Sequence, residues 1–140
     1  MQLVCYPGHQ GPDVLNNVNL VITPENYSVL QTGDQFQEVN GRPGTDSEWL
    51  DEIGHFHHVD VLLPDGWAKG LHKIVRGANP QLVIPGHENE MSHPISHRES
   101  YTEDYERLFG LHYPYIMMTW GESYLYKRPV TAIGILPGEN

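Results

Sequence analysis

Residues 59–87 read VDVLLPDGWAKGLHKIVRGANPQLVIPGH and contain a predicted strand, a predicted helix and a second predicted strand. The run Val59-Asp60-Val61-Leu62-Leu63 is almost continuously apolar, as expected for a strand covered on both faces. A helix is predicted over 66–78, where one side carries Trp67, Leu71, Ile74, Val75 and Ala78. Asn79-Pro80 ends this helix, and the strand that follows, 81–85, leads directly to His87.

The sequence on either side of residues 59–87 predicts further strands and helices. Strands are predicted at 2–6, 18–23 and 27–33, and the turn Pro24-Glu25-Asn26 makes the last two an antiparallel hairpin. A helix is predicted from the capping box Thr45-Asp46-Ser47-Glu48, with an apolar face of Trp49, Leu50, Ile53 and Phe56. A polar helix at 96–109 and strands at 115–118 and 123–126 complete the order. The sequence therefore predicts a single α/β domain over residues 1–140, with a mixed sheet and helices on at least one face.

Composition excludes several classes of function. The formal net charge is −10, and the eight Lys and Arg residues form no basic stripe, which argues against a nucleic-acid partner. The single cysteine, Cys5, excludes an internal disulfide framework, and its apolar surroundings predict a buried, inert thiol. No apolar run is long enough to cross a bilayer, so a soluble, cytoplasmic protein is expected.

Three apolar runs are each followed by a potential metal ligand. Leu3-Val4-Cys5-Tyr6 precedes His9, 27–33 precedes Asp34, and 81–85 precedes His87. One carboxylate and two imidazoles suit zinc, or another transition metal such as iron or manganese. Taken alone, Asp34 is better explained as a turn aspartate that caps the loop after a strand, whereas the three motifs together favour a metal site.

These motifs resemble the C-terminal half of the metallo-β-lactamase superfamily, an αββα sandwich of two similar halves with metals at one edge. The order of His9 in Pro7-Gly8-His9, Asp34 in Thr32-Gly33-Asp34 and His87 in Pro85-Gly86-His87 is similar to the order of that family's later ligands. The strings 87–91 and 119–123 look like those of an uncharacterised bacterial branch. The resemblance implies that His9 and His87 serve different metal ions bridged by Asp34, and that a metal-bound hydroxide hydrolyses an ester, amide or phosphoester.

The chain departs from the family in one large respect. No His-x-His-x-Asp-His loop precedes His9, although that loop supplies most of the family's ligands. The resemblance therefore implies half of the sandwich, a mixed sheet with helices on one face, and a metal site that is incompletely filled. We expect the isolated chain to be inactive or very weakly active, with the missing half supplied by a longer protein or another chain. No catalytic residue and no substrate are predicted.

Other interpretations stay open or are rejected. Glu88 or His93 is predicted to orient His87 or to contact substrate, but both also fit an exposed polar loop. The motif His55-Phe56-His57-His58-Val59-Asp60 is rejected as a ligand loop because it follows Asp34 and lies where a helix meets a strand. The rival function is a non-catalytic, self-associating or partner-binding module, since a half-sandwich leaves one sheet face uncovered.

Overall fold

The computed structural model describes residues 1–11, 14–39, 42–43, 48–86, 105–118 and 121–129. A 3-10 turn at Glu48–Asp51 precedes the first α-helix, and residues 105–109 are also helical. Among the described helices, none has the length and apolarity needed to cross a membrane. The helices and strands are α1 (Ile53–Phe56), α2 (Leu71–Ala78), β1 (Gln2–Gly11), β2 (Val14–Ile22), β3 (Ser28–Gly33), β4 (Glu38–Val39), β5 (Arg42–Pro43), β6 (Val61–Pro64) and β7 (Leu82–Val83).

Five of the strands form one mixed sheet in the order β1-β2-β3-β6-β7. The pairs β1–β2 and β2–β3 are antiparallel, whereas β3–β6 and β6–β7 are parallel. The prediction of a mixed sheet combined with helices is confirmed. Because β1, β3, β6 and β7 all run in the same direction, their carboxyl ends meet at one edge, which we call the carboxyl edge.

Side chains alternate between the two faces of the sheet, and we call the face that the helices cover the inner face. On the inner face, one row in register crosses all five strands, and it packs against the helices. Leu50, Ile53 and Ile74 from the helical segments join this row in a single buried core, so these segments cover the inner face. The inner row consists of Val4, Leu20, Leu30, Leu62 and Val83.

The helices differ from their predicted bounds. Helix α2 begins at Leu71, because Gly70 before it adopts a left-handed conformation with φ of 80°. Trp67 lies ahead of the helix, so its placement on the helical face was wrong. Of the predicted helix from 45, residues 45–47 lie outside the described residues, and the rest is a 3-10 turn followed by α1. A 3-10 turn rotates the apolar face relative to an α-helix. Phe56 is therefore 74 % exposed, and the prediction that it lies in the core was wrong.

The strands also differ in places. β1 continues through Pro7 to Gly11, which is possible because an edge strand tolerates a residue without an N–H. Cys5 is exposed on this strand, which corrects the predicted buried thiol. Tyr115 makes a single bridge to Val83 in place of the predicted strand 115–118, and no strand forms at 123–126. Of the predicted helix 96–109, residues 96–104 lie outside the described residues.

Candidate functional site

The carboxyl edge brings together two aspartates that follow neighbouring parallel strands. Asp34 comes directly after β3, and Asp65 comes directly after β6. Past the end of β7 the chain stays in the sheet, since Asp65 and Gly86 form a parallel bridge. The strand β3 is paired with β6 along this edge, so the two carboxylates lie on adjacent strand ends.

A cavity of about 420 Å³ lies at this point. Its volume falls in the range of small-molecule sites, roughly 300–1,000 Å³. Asp34 and Asp65 supply its acidic groups, and the backbone of Gly86 borders it. Leu63 and Ile84 add apolar side chains to its wall. The full lining consists of Gln31, Gly33, Asp34, Leu63, Pro64, Asp65, Ile84, Pro85 and Gly86.

Asp65 is held in a fixed position by a tight turn. The Trp67 N–H donates to Oδ1 of Asp65 at 2.8 Å, and the side chain is only 4 % exposed. The Gly86 N–H donates to the Pro64 carbonyl at 2.9 Å, and the Gly66 N–H donates to the Gly86 carbonyl at 3.1 Å. These bonds tie the end of β6 to the segment after β7, so the carboxylate of Asp65 is oriented before any ligand arrives.

Asp34 is positioned by the turn that ends β3. Gly33 has φ of 54°, a left-handed conformation that favours glycine. A side chain there would also collide with Asn16, whose Oδ1 lies 2.7 Å from the place of a Cβ atom. Nδ2 of Asn16 donates to the Thr32 carbonyl at 2.7 Å and fixes the end of the strand. The Thr32-Gly33-Asp34 sequence is thus explained by backbone geometry as well as by any ligand role.

His9 lies close to the residues that follow Asp34. Its N–H donates to Oε1 of Gln35 at 2.8 Å, and the Phe36 N–H donates to its carbonyl at 2.9 Å. Gln35 is the residue after Asp34 and is fully buried, so the chain leaving β3 runs directly to His9. Gly8 makes this approach possible, because a Cβ atom on it would collide with Oε1 of Gln35.

The structure therefore brings together part of the predicted ligand set. His9 and Asp34 lie at the same edge, linked through Gln35, and Asp34 shares the cavity with Gly86, the residue before His87. The predicted residues His87, Glu88 and His93 lie outside the described residues. Within the described residues, no three His, Cys, Asp or Glu side chains are grouped closely enough to hold a metal ion.

Asp65 was missed by sequence reasoning. The signal was present, since Leu63-Pro64-Asp65-Gly66 repeats the pattern of an apolar strand that ends in Asp beside Gly.

A second polar cluster surrounds Asp60 at the opposite edge of the sheet, before β6. Asp60 is fully buried and accepts hydrogen bonds from the Ser28 N–H at 2.8 Å and from Arg128. Burial alone would raise the pKa of Asp60, but hydrogen bonds from Arg128 and Ser28 hold that pKa well below the ordinary range of a carboxyl group. Burial and the nearby Asp60 carboxylate raise the pKa of the Tyr126 hydroxyl.

The rejected histidine motif is divided between separate contacts. Nε2 of His57 lies 2.7 Å from the hydroxyl of Tyr6, whereas Nε2 of His58 lies 3.2 Å from Oδ1 of Asp60. His55, the first histidine of the motif, is exposed in α1. Two of the three histidines thus make different contacts within the fold.

Comparisons of this chain with models of protein families, with curated proteins and with solved structures gave no match.

Proposed function

We propose that the cavity at the carboxyl edge binds a divalent transition metal, zinc by preference, and that the chain supplies the C-terminal half of a metal-dependent hydrolase of the metallo-β-lactamase type. The observation that supports this most directly is that Asp34 and Asp65 line one cavity from adjacent parallel strands. Two carboxylates together with an imidazole would be a donor set that fits zinc, iron or manganese. His87, next in sequence after Gly86, is the proposed imidazole ligand.

The residues of the cavity have distinct parts in this proposal. Asp34 and Asp65 attract the cation from adjacent strand ends. A divalent ion held there would lower the pKa of a bound water and polarise a carbonyl or phosphoryl oxygen. Leu63 and Ile84 give the cavity an apolar wall that strengthens electrostatic interactions inside it.

The isolated chain is proposed to bind metal weakly and to turn over slowly. A catalytic zinc site usually has three protein ligands and one open position. The described residues bring two carboxylates to the cavity, and His9 is not among its lining residues. Ligands from a further chain or segment would complete the site, as the family resemblance implies.

Calorimetric titration of the purified chain with Zn²⁺ and Mn²⁺ tests the metal site. We expect one ion to bind, and Asp34→Asn, Asp65→Asn and His87→Ala each to weaken binding about tenfold or more. Glu25→Gln is the matched control, because Glu25 is an exposed carboxylate in the turn between β2 and β3 at the opposite edge. Absence of saturable binding, or equal losses in Glu25→Gln and Asp65→Asn, would contradict the proposal.

Hydrolysis is tested separately with a generic phosphoester, such as a nitrophenyl phosphodiester, on the metal-loaded chain. Slow turnover that disappears in both Asp34→Asn and Asp65→Asn supports a hydrolase. Metal binding without any turnover, even at high enzyme concentration, would leave the metal site standing and contradict hydrolysis by this chain.

A further inference from the structure

A pocket that fits a guanidinium group lies at the edge of the sheet opposite the cavity. Asp60 is fully buried at its base, and both carboxylate oxygens accept hydrogen bonds from the guanidinium of Arg128. The same guanidinium donates to the Asn26 carbonyl and lies over the ring of Tyr27. A carboxylate bound at two points, a carbonyl and an aromatic face together select arginine, because an ammonium group lacks the planar fork that matches two oxygens. We call Asp60, Asn26 and Tyr27 the arginine pocket.

The arginine pocket is built by the sheet and by the turn between β2 and β3. The Ser28 N–H donates to Oδ2 of Asp60 at 2.8 Å, and the Asp60 N–H donates to Oγ of Ser28 at 3.0 Å. The turn is closed by the Asn26 N–H, which donates to the Thr23 carbonyl at 2.9 Å, and by the Thr23 N–H, which donates to the Tyr27 carbonyl at 2.8 Å. These bonds hold the carboxylate, the carbonyl and the ring in place, and none of them involves the residue that fills the pocket.

The occupant of the arginine pocket belongs to a segment without helix or strand, residues 121–129, which we call the strap. Two of its residues, Tyr126 and Arg128, are partly buried, and every other residue of the strap is exposed. The Tyr126 hydroxyl donates to Oδ1 of Asp60 at 3.3 Å, and its ring meets that of Tyr27 edge-on at 5.9 Å between centroids. Between described residues, no backbone-to-backbone hydrogen bond joins the strap to the sheet. The strap therefore contacts the pocket as an extended peptide does, through alternate side chains.

We propose that the arginine pocket is a peptide-docking site, that the strap is its resident ligand, and that an extended Tyr-x-Arg segment of another protein binds there in place of the strap. Arginine is required for the buried carboxylate, and the aromatic residue two positions earlier points to the same side of an extended chain. The net charge of −10 favours a basic partner segment. This proposal does not rest on the metal site or on hydrolysis.

The strap competes with any incoming peptide because it is tethered to the pocket. A tether of this kind gives an effective concentration in the millimolar range, so an external peptide binds the native chain weakly. Segments held by few buried side chains open at a low free energy, which gives the peptide access. Removal of the arginine from the strap should therefore strengthen peptide binding, whereas a merely structural ion pair predicts no peptide binding at all.

Fluorescence anisotropy tests the proposal with full-length chains and a labelled peptide of sequence SYLYKRP, which is that of residues 123–129. We expect Arg128→Ala to bind this peptide about tenfold or more tightly than the native chain does. Peptides that carry lysine for the arginine, or alanine for the second tyrosine, should bind Arg128→Ala more weakly, the first by about tenfold or more. Lys127→Ala is the matched control, because Lys127 is the exposed neighbour of Arg128 in the strap, and it should bind like the native chain.

Three results would overturn the proposal: no binding of the peptide to Arg128→Ala, equal binding by Arg128→Ala, Lys127→Ala and the native chain, or equal binding of the three peptides. Circular dichroism shows whether each variant is folded.

A second measurement applies even if Arg128→Ala is only marginally folded. Ethylguanidinium at tens of millimolar should fill the vacated pocket and raise the thermal midpoint of Arg128→Ala by about 2–5 °C relative to ethylammonium, which has no guanidinium fork. The native chain and Asp60→Asn should show no such difference, because the first pocket is filled and the second has lost its carboxylate charge. Equal effects of the two compounds on Arg128→Ala would contradict a pocket that selects arginine.

Discussion

Arg128 forms a two-point ion pair with Asp60, with Nε 2.7 Å from Oδ1 and Nη2 2.6 Å from Oδ2. The guanidinium also lies over the ring of Tyr27, 4.9 Å from its centroid, and Nη2 donates to the Asn26 carbonyl at 2.7 Å. The pair joins the segment 121–129 to the start of β6. A segment without helix or strand is thus fixed to the sheet by one buried carboxylate.

Replacement of Asp60 should destabilise the fold substantially. Asp60→Asn removes the charge that faces Arg128 and disturbs the bonds from Ser28, and the loss of one partner of a buried pair costs about 2–4 kcal/mol when the other is partly exposed, as Arg128 is. Chemical denaturation measures the free energy of unfolding. Arg128→Gln and the double variant complete a thermodynamic cycle, in which the two losses should not add. Additive losses would contradict a direct pair.

The same carboxylate should contribute to acid sensitivity. Its pKa is lowered in the folded state, so the unfolded chain binds more protons at low pH, and the stabilisation is complete above the unfolded pKa near 4 and is lost as pH falls below it. Between pH 6 and pH 3 this group should account for about 1 kcal/mol of lost unfolding free energy. Unfolding of the native chain and Asp60→Asn is measured at both pH values. An identical pH dependence in the two proteins would contradict this assignment.

The sheet was largely predictable because its signals are local and repetitive. The runs at 27–33 and 59–63 are long enough in β-branched and apolar residues to be assigned as strands, and both form, as β3 and β6. The turn Pro24-Glu25-Asn26 joins antiparallel neighbours, as its residue types indicate. The same apolar run, 27–33, predicts that Asp34 lies at the end of a strand, and Asp34 does follow β3 directly.

What the sequence did not reveal depends on tertiary contacts. The extension of β1 past Pro7 requires knowledge that β1 is an edge strand. Nothing in the sequence indicates that Gln35, a polar residue in a loop, is fully buried against Gly8. The Asp60–Arg128 pair joins residues 68 positions apart, and no periodic pattern connects them.

The contact between Gly8 and Gln35 should be sensitive to a single added carbon atom. Gly8→Ala places a Cβ against Oε1 of Gln35, and overpacking of this kind costs about 1–3 kcal/mol. Gln35→Ala in the same chain removes the obstacle, so the double variant should be less destabilised than the sum of the two single losses. Thermal or chemical unfolding of all four proteins measures this. Strict additivity would show that the two residues do not compete for space.

Trp49 and Phe56, both predicted to be core residues of one helix, should respond differently to truncation. Trp49 stacks on Tyr6 at 4.7 Å between ring centroids, and its Nε1 bonds the Pro7 carbonyl, so Trp49→Ala should cost about 2–3 kcal/mol. Phe56 is 74 % exposed, and Phe56→Ser should change the free energy of unfolding by no more than about 0.5 kcal/mol. Urea titrations compare the two variants. A larger loss for Phe56→Ser would show that the ring is covered in solution.

Asp65 has a structural role and a proposed electrostatic role, and two substitutions separate them. Asparagine keeps an oxygen that can accept from the Trp67 N–H, so Asp65→Asn should lose less free energy of unfolding than Asp65→Ala. Alanine loses that acceptor and leaves the N–H of the turn without it, so Asp65→Ala should lose about 1–2 kcal/mol more than Asp65→Asn. Affinity for Zn²⁺ should fall in both variants, since both remove the negative charge from the cavity. If Asp65→Asn binds Zn²⁺ as well as the native chain while Asp65→Ala is merely less stable, then Asp65 acts only as the residue that shapes the turn.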